Sequence, residues 1–366
     1  MSERVLSFGG LDPNIVLERD GRLFRRIALS NDGRWNGLNG FVNSPAFLRL
    51  MDEGWVVRHK LDFPILSAVD YEICRVRHWN IFPWWTRKQY ASAFGLVARI
   101  NAFLEPSGWL ASDCHPGNLV FLHANPIYAD TGSFSRNTQA MAASHFETAL
   151  DRIGLTPAPT WQESISVLDA YQPIYNATEW DHYAQPPQPD SVSDIRPTHP
   201  EQELLLDWVS AFPDGDVLEL GANRGHLSRL LAVAGHEVVS TDIAEACVDD
   251  AWQTARKLGL PITSCCLDLS APHDLSSLAC DVVIASSITH HLYRQGMNWV
   301  QQEALFRGLT RRQLLVEQIL PDDPHIQSWN LPAEYGEFEA AFSGWRVIAE
   351  SRPELPSRRW LRMEPA

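Results

Sequence analysis

The chain has 366 residues, of which 45% are hydrophobic, and its formal net charge is −15. This length allows two domains with full cores, and the acidic balance argues against nonspecific nucleic-acid binding, which requires a basic surface. Because no run approaches the length of a membrane span and the first ten residues lack a secretory pattern, we expect a cytoplasmic protein without membrane association.

The amino-terminal third combines strand and helix signals. Residues 15–27 place Asp20-Gly21 between two apolar runs, which is a strong signal for a β-hairpin. Helical patterns follow at residues 44–53 and 86–104. We therefore predict an α+β accessory domain over residues 1–135.

Three polar residues of this part form a recognisable constellation. Asp113 precedes Asn118 by five positions, and Asp130 follows in a Tyr-Ala-Asp-Thr-Gly segment. Their order resembles the catalytic loop and metal-binding Asp of protein-kinase-like phosphotransferases. However, neither a Gly-rich nucleotide loop nor a Val-Ala-Ile-Lys strand precedes it, so a degenerate kinase-like module that caps a ligand pocket is the favoured interpretation. The alternatives are live phosphoryl transfer and simple turn stabilisation by these side chains.

Four tryptophans, Trp79, Trp84, Trp85 and Trp109, lie in the same part of the chain. Aromatic faces attract sulfonium and ammonium groups, so they are candidates to border a ligand. We predict that Trp109, Asp113, Asn118 and Asp130 contact the substrate. The alternative is that the tryptophans only bury apolar area.

A linker divides the chain. Residues 185–200 contain five prolines among polar residues, a composition that resists helix and strand alike. Residues 136–184 look mostly helical, so we predict a helical connector and linker over residues 136–200. A helix with acids in its first turn begins at Glu201, and the second domain is predicted to span residues 201–366.

Residues 217–225 carry the motif that indicates a cofactor. An apolar strand ends in Glu219, and the turn that follows reads Glu-x-Gly-x-x-x-Gly. Asn223 stands where a dinucleotide motif has its second glycine, and Glu219 would repel phosphates but suits a cationic ligand. Asp242 ends the next strand, where an acid accepts hydrogen bonds from ribose hydroxyls. The pattern therefore favours S-adenosylmethionine.

Further strands alternate with helices, as a parallel sheet requires. We predict strands at residues 262–269, 281–287 and 313–318 and a helix that begins near Trp299. Two last strands, within residues 345–363, are expected to form an antiparallel hairpin.

The segments 217–225, 241–243, 267–269 and 281–285 resemble those of class I S-adenosylmethionine-dependent methyltransferases. The whole chain is similar to bacterial methyltransferases related to the nodulation protein NoeA, through residues 127–134, 288–292 and 338–343. The resemblance implies an α/β fold with a Rossmann-like, seven-stranded class I methyltransferase domain and an amino-terminal accessory domain.

The candidate site residues fall into two further groups. The predicted cofactor-binding residues are Glu219, Gly221, Asn223, Gly225, Asp242, Ile243, Asp268, Leu269 and Ser286. His290 and His291 follow a strand at the carboxyl edge of the sheet and are the candidates for a catalytic base, because an imidazole accepts a proton near neutral pH. The alternative is that they stack on the adenine or cap a helix.

The sequence therefore predicts a biosynthetic methyltransferase with a small-molecule acceptor that carries an oxygen or nitrogen nucleophile. Two alternatives stay open: transfer or cyclisation of the aminocarboxypropyl group of the same cofactor, and a noncatalytic regulatory protein that binds it. The six cysteines lack a Cys-x-x-Cys spacing and are expected to be reduced thiols, with no metal site. The acceptor and the oligomeric state are not determined by the sequence.

Overall fold

The computed structural model describes residues 3–6, 15–28, 37–65, 68–73, 79–136, 138–176, 178, 188–272, 274–329, 331–351 and 357–366. The chain divides into two compact units, unit 1 (Met1–Ile174) and unit 2 (Tyr175–Ala366). Their boundary falls inside the segment 136–200 that the sequence predicts as connector and linker. Residues 185–187 of the proline-rich segment lie outside the described residues.

Unit 1 contains a five-stranded antiparallel sheet of order β1-β2-β3-β5-β4. Its strands are β1 Glu3–Val5, β2 Ile15–Arg19, β3 Arg22–Ala28, β4 His59–Ile65 and β5 Ala68–Ile73. The predicted hairpin is confirmed, because β2 and β3 pair across Asp20 and Gly21, both in the left-handed region at φ 51° and 78°.

The rest of unit 1 is mainly helical. The helices are α1 Leu38–Val42, α2 Pro45–Asp52, α3 Arg87–Leu104, α4 Gln139–Asp151 and α5 Trp161–Ala170. Five short strands complete the unit: β6 Trp79–Asn80, β7 Trp109–Ala111, β8 Leu119–Leu122, β9 Asn125–Tyr128 and β10 Phe134–Arg136. The predicted helices 44–53 and 86–104 are confirmed; Ser44 and Thr86 cap them by accepting hydrogen bonds from backbone amides.

Unit 2 is built on a seven-stranded sheet of order β13-β12-β11-β14-β15-β17-β16. The strands are β11 Val217–Leu220, β12 Val238–Asp242, β13 Ile262–Cys266, β14 Cys280–Ala285, β15 Thr310–Ile319, β16 Trp345–Ser351 and β17 Arg358–Pro365. β11 to β15 pair in parallel, and β17 is antiparallel to both of its neighbours. The predicted Rossmann-like sheet and its closing hairpin are confirmed.

Six helices connect the strands in the described part of unit 2. They are α6 Pro200–Val209, α7 His226–Val233, α8 Glu245–Leu258, α9 Thr289–Arg294, α10 Trp299–Leu309 and α11 Phe338–Ala341. The third strand ends at Cys266, three residues earlier than predicted, because Asp268 accepts a hydrogen bond from the Ser270 amide and closes a turn. No helix among the described residues is long and apolar enough to cross a membrane.

The strand order determines where a ligand binds. β11 lies between β12 and β14, so the connections leave it in opposite directions along the sheet. At this switch point the helices that follow β11 and β14 separate and leave a crevice at the carboxyl edge. Its two flanking turns begin at Gly221 and Ser286.

The amino edge of the same sheet is held by a charged cluster around Asp216, whose side chain is 3% exposed. One of its carboxylate oxygens accepts a hydrogen bond from the Asp281 amide at 2.6 Å. Arg311 contacts the same carboxylate and donates to the Ala279 carbonyl at 2.6 Å. These contacts join the starts of β11, β14 and β15.

We expect Arg311→Ala to lower the free energy of unfolding by about 1–3 kcal/mol, because it leaves the buried Asp216 carboxylate without its cation. The control is Arg312→Ala, since Arg312 is its exposed neighbour and its guanidinium lies over the Phe212 ring. Urea unfolding of both variants measures the difference. Equal losses in the two variants would contradict the proposed role of the cluster.

Candidate functional site

A cavity of about 760 Å³ opens at the carboxyl edge of the sheet in unit 2. Ten of the residues predicted from sequence line it: Glu219, Gly221, Asn223, Asp242, Ile243, Asp268, Leu269, Ser286, His290 and His291. They come from the ends of four neighbouring strands and from the turns that follow. The structure thus brings eight of the nine predicted cofactor-binding residues and the two candidate catalytic histidines to one cavity.

The turn after β11 depends on backbone conformations that favour glycine. Gly221 has φ +69°, and a Cβ atom there would lie 2.6 Å from Cδ1 of Ile288. Asn223 also lies in the left-handed region, at φ 49°. Its amide donates a hydrogen bond to Asp242 at 2.7 Å, so the turn is tied to the end of β12.

Gly225 has a different position from the other predicted cofactor residues. It caps α7 at φ +70°, and a Cβ atom there would lie 2.9 Å from Cβ of Ala251 in α8. It therefore permits close packing of the two helices, and it is not among the residues that line the cavity.

Glu219 places a carboxyl group in the cavity lining at the end of β11. Its side chain is 4% exposed and accepts a hydrogen bond from the Ser228 hydroxyl. Burial raises the pKa of Glu219 to about 7, against the opposing effects of Ser228 and Arg229. A cationic group in the cavity would favour the ionised form.

The acids at the ends of β12 and β13 are held by local hydrogen bonds. Asp242 accepts from the Asn223 amide through one oxygen and from the Ala244 amide, at 2.8 Å, through the other. Asp268 accepts from the amide and hydroxyl of Ser270 at 2.8 and 2.6 Å through one oxygen. These bonds fix the orientation of both carboxylates in the cavity lining.

His290 and His291 occupy the first turn of α9 beside Trp329. Their ring centroids are 3.9 Å apart, and the His290 ring stacks on Trp329 at 5.4 Å. Burial, helped by neighbouring cationic groups, lowers the pKa of His290 to about 3 and that of His291 to about 4. Both imidazoles are therefore neutral at pH 7. Their pKa values lie well below the near-neutral value expected from sequence.

His290 has a further property that bears on ligand binding. Its side chain is 4% exposed, and Nδ1 is buried with no hydrogen-bond partner among the described residues. A buried polar group without a partner costs about 1–3 kcal/mol. A ligand that hydrogen-bonds this imidazole would recover part of that cost.

Sequence reasoning missed other residues that line the cavity, among them His226, Glu317, Trp329, Arg358 and Trp360. Glu317 is 5% exposed, and one of its oxygens accepts from the amide and the hydroxyl of Ser287 at 2.8 and 2.7 Å. Its position at the end of a predicted strand was a signal that could have found it. For Arg358 and Trp360 no local signal existed, because the antiparallel return of β17 brings them to the cavity.

The four predicted substrate residues of the amino-terminal part lie in unit 1. Asp113 pairs with His145 at 3.2 Å, and its backbone carbonyl accepts from the Asn118 amide group at 2.9 Å. Asp130 pairs with Arg25 at 3.0 Å and accepts from the Gly132 amide at 3.1 Å. The residues that line the described cavity belong to unit 2, so the structure does not place these side chains in its lining.

The tryptophans of unit 1 are mostly buried. Trp109 is 4% exposed and stacks on Phe41 with 4.4 Å between ring centroids. Trp84 and Trp85 are also buried, and the side chain of Trp79 lies outside the described residues. These contacts account for Trp109 as part of the core of unit 1.

Comparison with known proteins identifies the kind of domain that carries the cavity. A family profile described as a methyltransferase domain matches residues 217–307. A search of curated proteins found no match.

Several solved structures are similar to part of this chain. Magnesium protoporphyrin IX methyltransferase from Synechocystis PCC 6803, with bound S-adenosylhomocysteine, is 20% identical, with a TM-score of 0.35 over 45% of this chain and 82% of that chain. The N-methyltransferase NodS from Bradyrhizobium japonicum WM9 is 12% identical, with a TM-score of 0.36 over 45% and 94%. The 16S rRNA methylase RmtB is 15% identical, with a TM-score of 0.32 over 45% and 62%. The acceptor and the absence of nucleic-acid binding stay predictions.

The domain match and the sheet order together define the carboxyl-terminal part of the chain. It has the Rossmann-like fold of a class I methyltransferase domain, and S-adenosylmethionine is its cofactor. The cavity lining fits this cofactor, because a buried acid at Glu219 suits its positive charge and the tight turn at Gly221 keeps the crevice open.

We predict that the affinity for S-adenosylmethionine rises with pH between about 6 and 8. Glu219 is largely protonated below its pKa of about 7, and a cationic ligand requires the carboxylate, so binding releases a proton. Below that pKa, the affinity changes by up to about tenfold per pH unit. Calorimetry in two buffers with different ionisation enthalpies measures the released proton. Undiminished proton release in Glu219→Gln would assign it to another group.

We expect Gly221→Val to abolish binding of S-adenosylhomocysteine, because its branched side chain would displace Ile288 in the cavity wall. Gly296→Val is the matched control, since Gly296 has φ +95° but nothing within 4 Å of its added Cβ. It reports the cost of the backbone strain alone. Equal affinity of the Gly221 variant and the wild type, measured by calorimetry, would refute this assignment.

Proposed function

We propose that the chain is an S-adenosylmethionine-dependent methyltransferase that acts on an oxygen or nitrogen nucleophile of a small molecule. The observation that carries this proposal is the shared cavity, in which Glu219 and Asp242 face the same space as His290. Its volume of about 760 Å³ lies within the range of small-molecule sites. A biosynthetic role and a place in the NoeA-like group are parts of the same proposal and rest on the sequence resemblance, and the proposed location in the cytoplasm rests on the composition and the first ten residues.

In this proposal each group of residues has one task. Glu219, Asp242 and Asp268 hold the cofactor, which supplies an electrophilic methyl group when bound. The turns at Gly221 and Ser287 shape the crevice that excludes water around it. His290 accepts a hydrogen bond from the O–H or N–H of the acceptor and orients its lone pair.

The neutrality of the histidines supports this division. A protonated imidazole would repel the cationic cofactor and offers no lone pair to the acceptor. Because burial holds the pKa of His290 near 3, the ring is neutral and accepting throughout the physiological range. The His290 ring takes the proton only when the acceptor loses it. The low pKa therefore favours orientation of the acceptor as its main role, with proton transfer as the second.

We propose that unit 1 is the accessory module, with Asp113, Asn118, Asp130 and Trp109 as its acceptor-contacting residues. The kinase-like order of the three polar residues supports this idea, and the burial of Trp109 weighs against that member. Altered acceptor affinity in Asp113→Ala, with no effect of ATP, is the expected result. Magnesium-dependent ATP hydrolysis lost in that variant would instead favour phosphoryl transfer.

The test of the main proposal is product analysis. Incubation with S-adenosylmethionine and pools of small-molecule acceptors is expected to yield S-adenosylhomocysteine, whereas methylthioadenosine would indicate aminocarboxypropyl chemistry. For His290→Ala we expect kcat to fall by about 10² to 10⁴, with unchanged affinity for S-adenosylhomocysteine. Binding of the cofactor without turnover in any pool would favour a noncatalytic protein.

A further inference from the structure

Arg358, the first residue of β17, lines the cavity. Its Nε donates to Asp323 at 2.9 Å, and its Nη1 lies 3.4 Å from a carboxylate oxygen of Glu317. Nη2 has no hydrogen-bond partner among the described residues, although the guanidinium belongs to the cavity lining. Arg358 therefore holds donor capacity that the protein itself does not use.

The guanidinium of Arg358 is positioned by the buried carboxylate of Asp323. Asp323 is 0% exposed and also accepts from the Ser357 hydroxyl at 3.0 Å and the His325 amide at 2.9 Å. Burying a carboxylate costs free energy unless a cation is paired with it, and here that cation is Arg358, through its Nε. This contact fixes the orientation of the other edge of the guanidinium, which is formed by Nη1 and Nη2.

Glu317 occupies only one nitrogen of the Nη1–Nη2 edge, through an ion pair with Nη1 at 3.4 Å. Its other oxygen already accepts two hydrogen bonds from Ser287, and 3.4 Å from Nη1 is long for a charge-assisted bond. Asp323 and Glu317 both pair with Arg358. A bound carboxylate would therefore share Nη1 with Glu317 and take Nη2 as its main donor.

The surroundings of Arg358 add aromatic walls. Trp329, Trp360 and the stacked ring of His290 line the same cavity. Guanidinium groups bind carboxylates through paired N–H donors, and flat apolar walls favour a planar carbon skeleton.

We infer that Arg358 forms an anion subsite for the methyl acceptor, and that the acceptor is a planar small molecule that carries a carboxylate. This inference rests on the proposed function only where it calls the ligand a methyl acceptor. Binding of a carboxylate at Arg358 does not depend on it. The Nη1–Nη2 edge of Arg358 receives the carboxylate, and the aromatic walls receive the ring. The subsite lies beside His290, so it sets the orientation in which the nucleophile meets the imidazole.

The probe is benzoate, with neutral benzamide as its isostere, titrated into the full-length protein loaded with S-adenosylhomocysteine. Ligand-observed NMR measures both affinities. We expect benzoate to bind at least about tenfold more tightly than benzamide, and Arg358→Lys, which keeps the charge beside Asp323 but loses the fork, to remove most of that preference. The matched control is Arg294→Gln, because Arg294 lies over Trp329 but does not line the cavity.

Equal binding of benzoate and benzamide to the wild type overturns the inference, and so does an undiminished preference in Arg358→Lys. Arg358→Gln combined with Asp323→Asn removes the pair without leaving the Asp323 charge uncompensated, and its thermal unfolding and cofactor affinity show whether the fold survives. The proposed function fails separately, if no S-adenosylhomocysteine forms from the methyl donor with any acceptor while benzoate still binds.

Discussion

One hydrogen bond ties together the two strand ends on which the site depends. The backbone amide of Asn223 donates to the Asp242 carboxylate, so the turn after β11 cannot move without the end of β12. The positive φ of Gly221 and Asn223 is required to aim that amide. The cavity, the position of Glu219 and the path into α7 all follow from this closed turn.

Burial then sets the protonation states around the cavity. It raises the pKa of Glu219 and lowers those of His226, His290 and His291, so both kinds of group move toward their neutral forms. Before a ligand arrives, Glu219 and these three histidines thus add little charge to the lining, which also holds Asp242, Glu317 and Arg358. A cationic cofactor meets an acid that it can ionise and imidazoles that do not repel it.

The sequence was sufficient for the parts of the fold that local patterns encode. The strand that ends in Glu219, the Asp20-Gly21 hairpin and the capped helix at Thr86 were predictable because their signals lie within a few residues. The end of β13 was missed, since the Ser270 contacts of Asp268 close a turn that apolar periodicity does not reveal. Arg358 was missed for another reason: its partners Glu317 and Asp323 lie more than thirty residues away, and only the sheet brings them together.

The charged cluster of Asp216 and Arg311 lies at the amino edge of the sheet, and the cavity lies at the carboxyl edge. The contacts that stabilise the sheet and the residues that line the cavity thus lie at opposite ends of the same strands. Substitutions that strengthen the amino edge leave the ligand-facing turns untouched, so thermostability and acceptor choice become separate design variables. Laboratory evolution of this domain has room to alter the acceptor pocket once the amino edge has been reinforced.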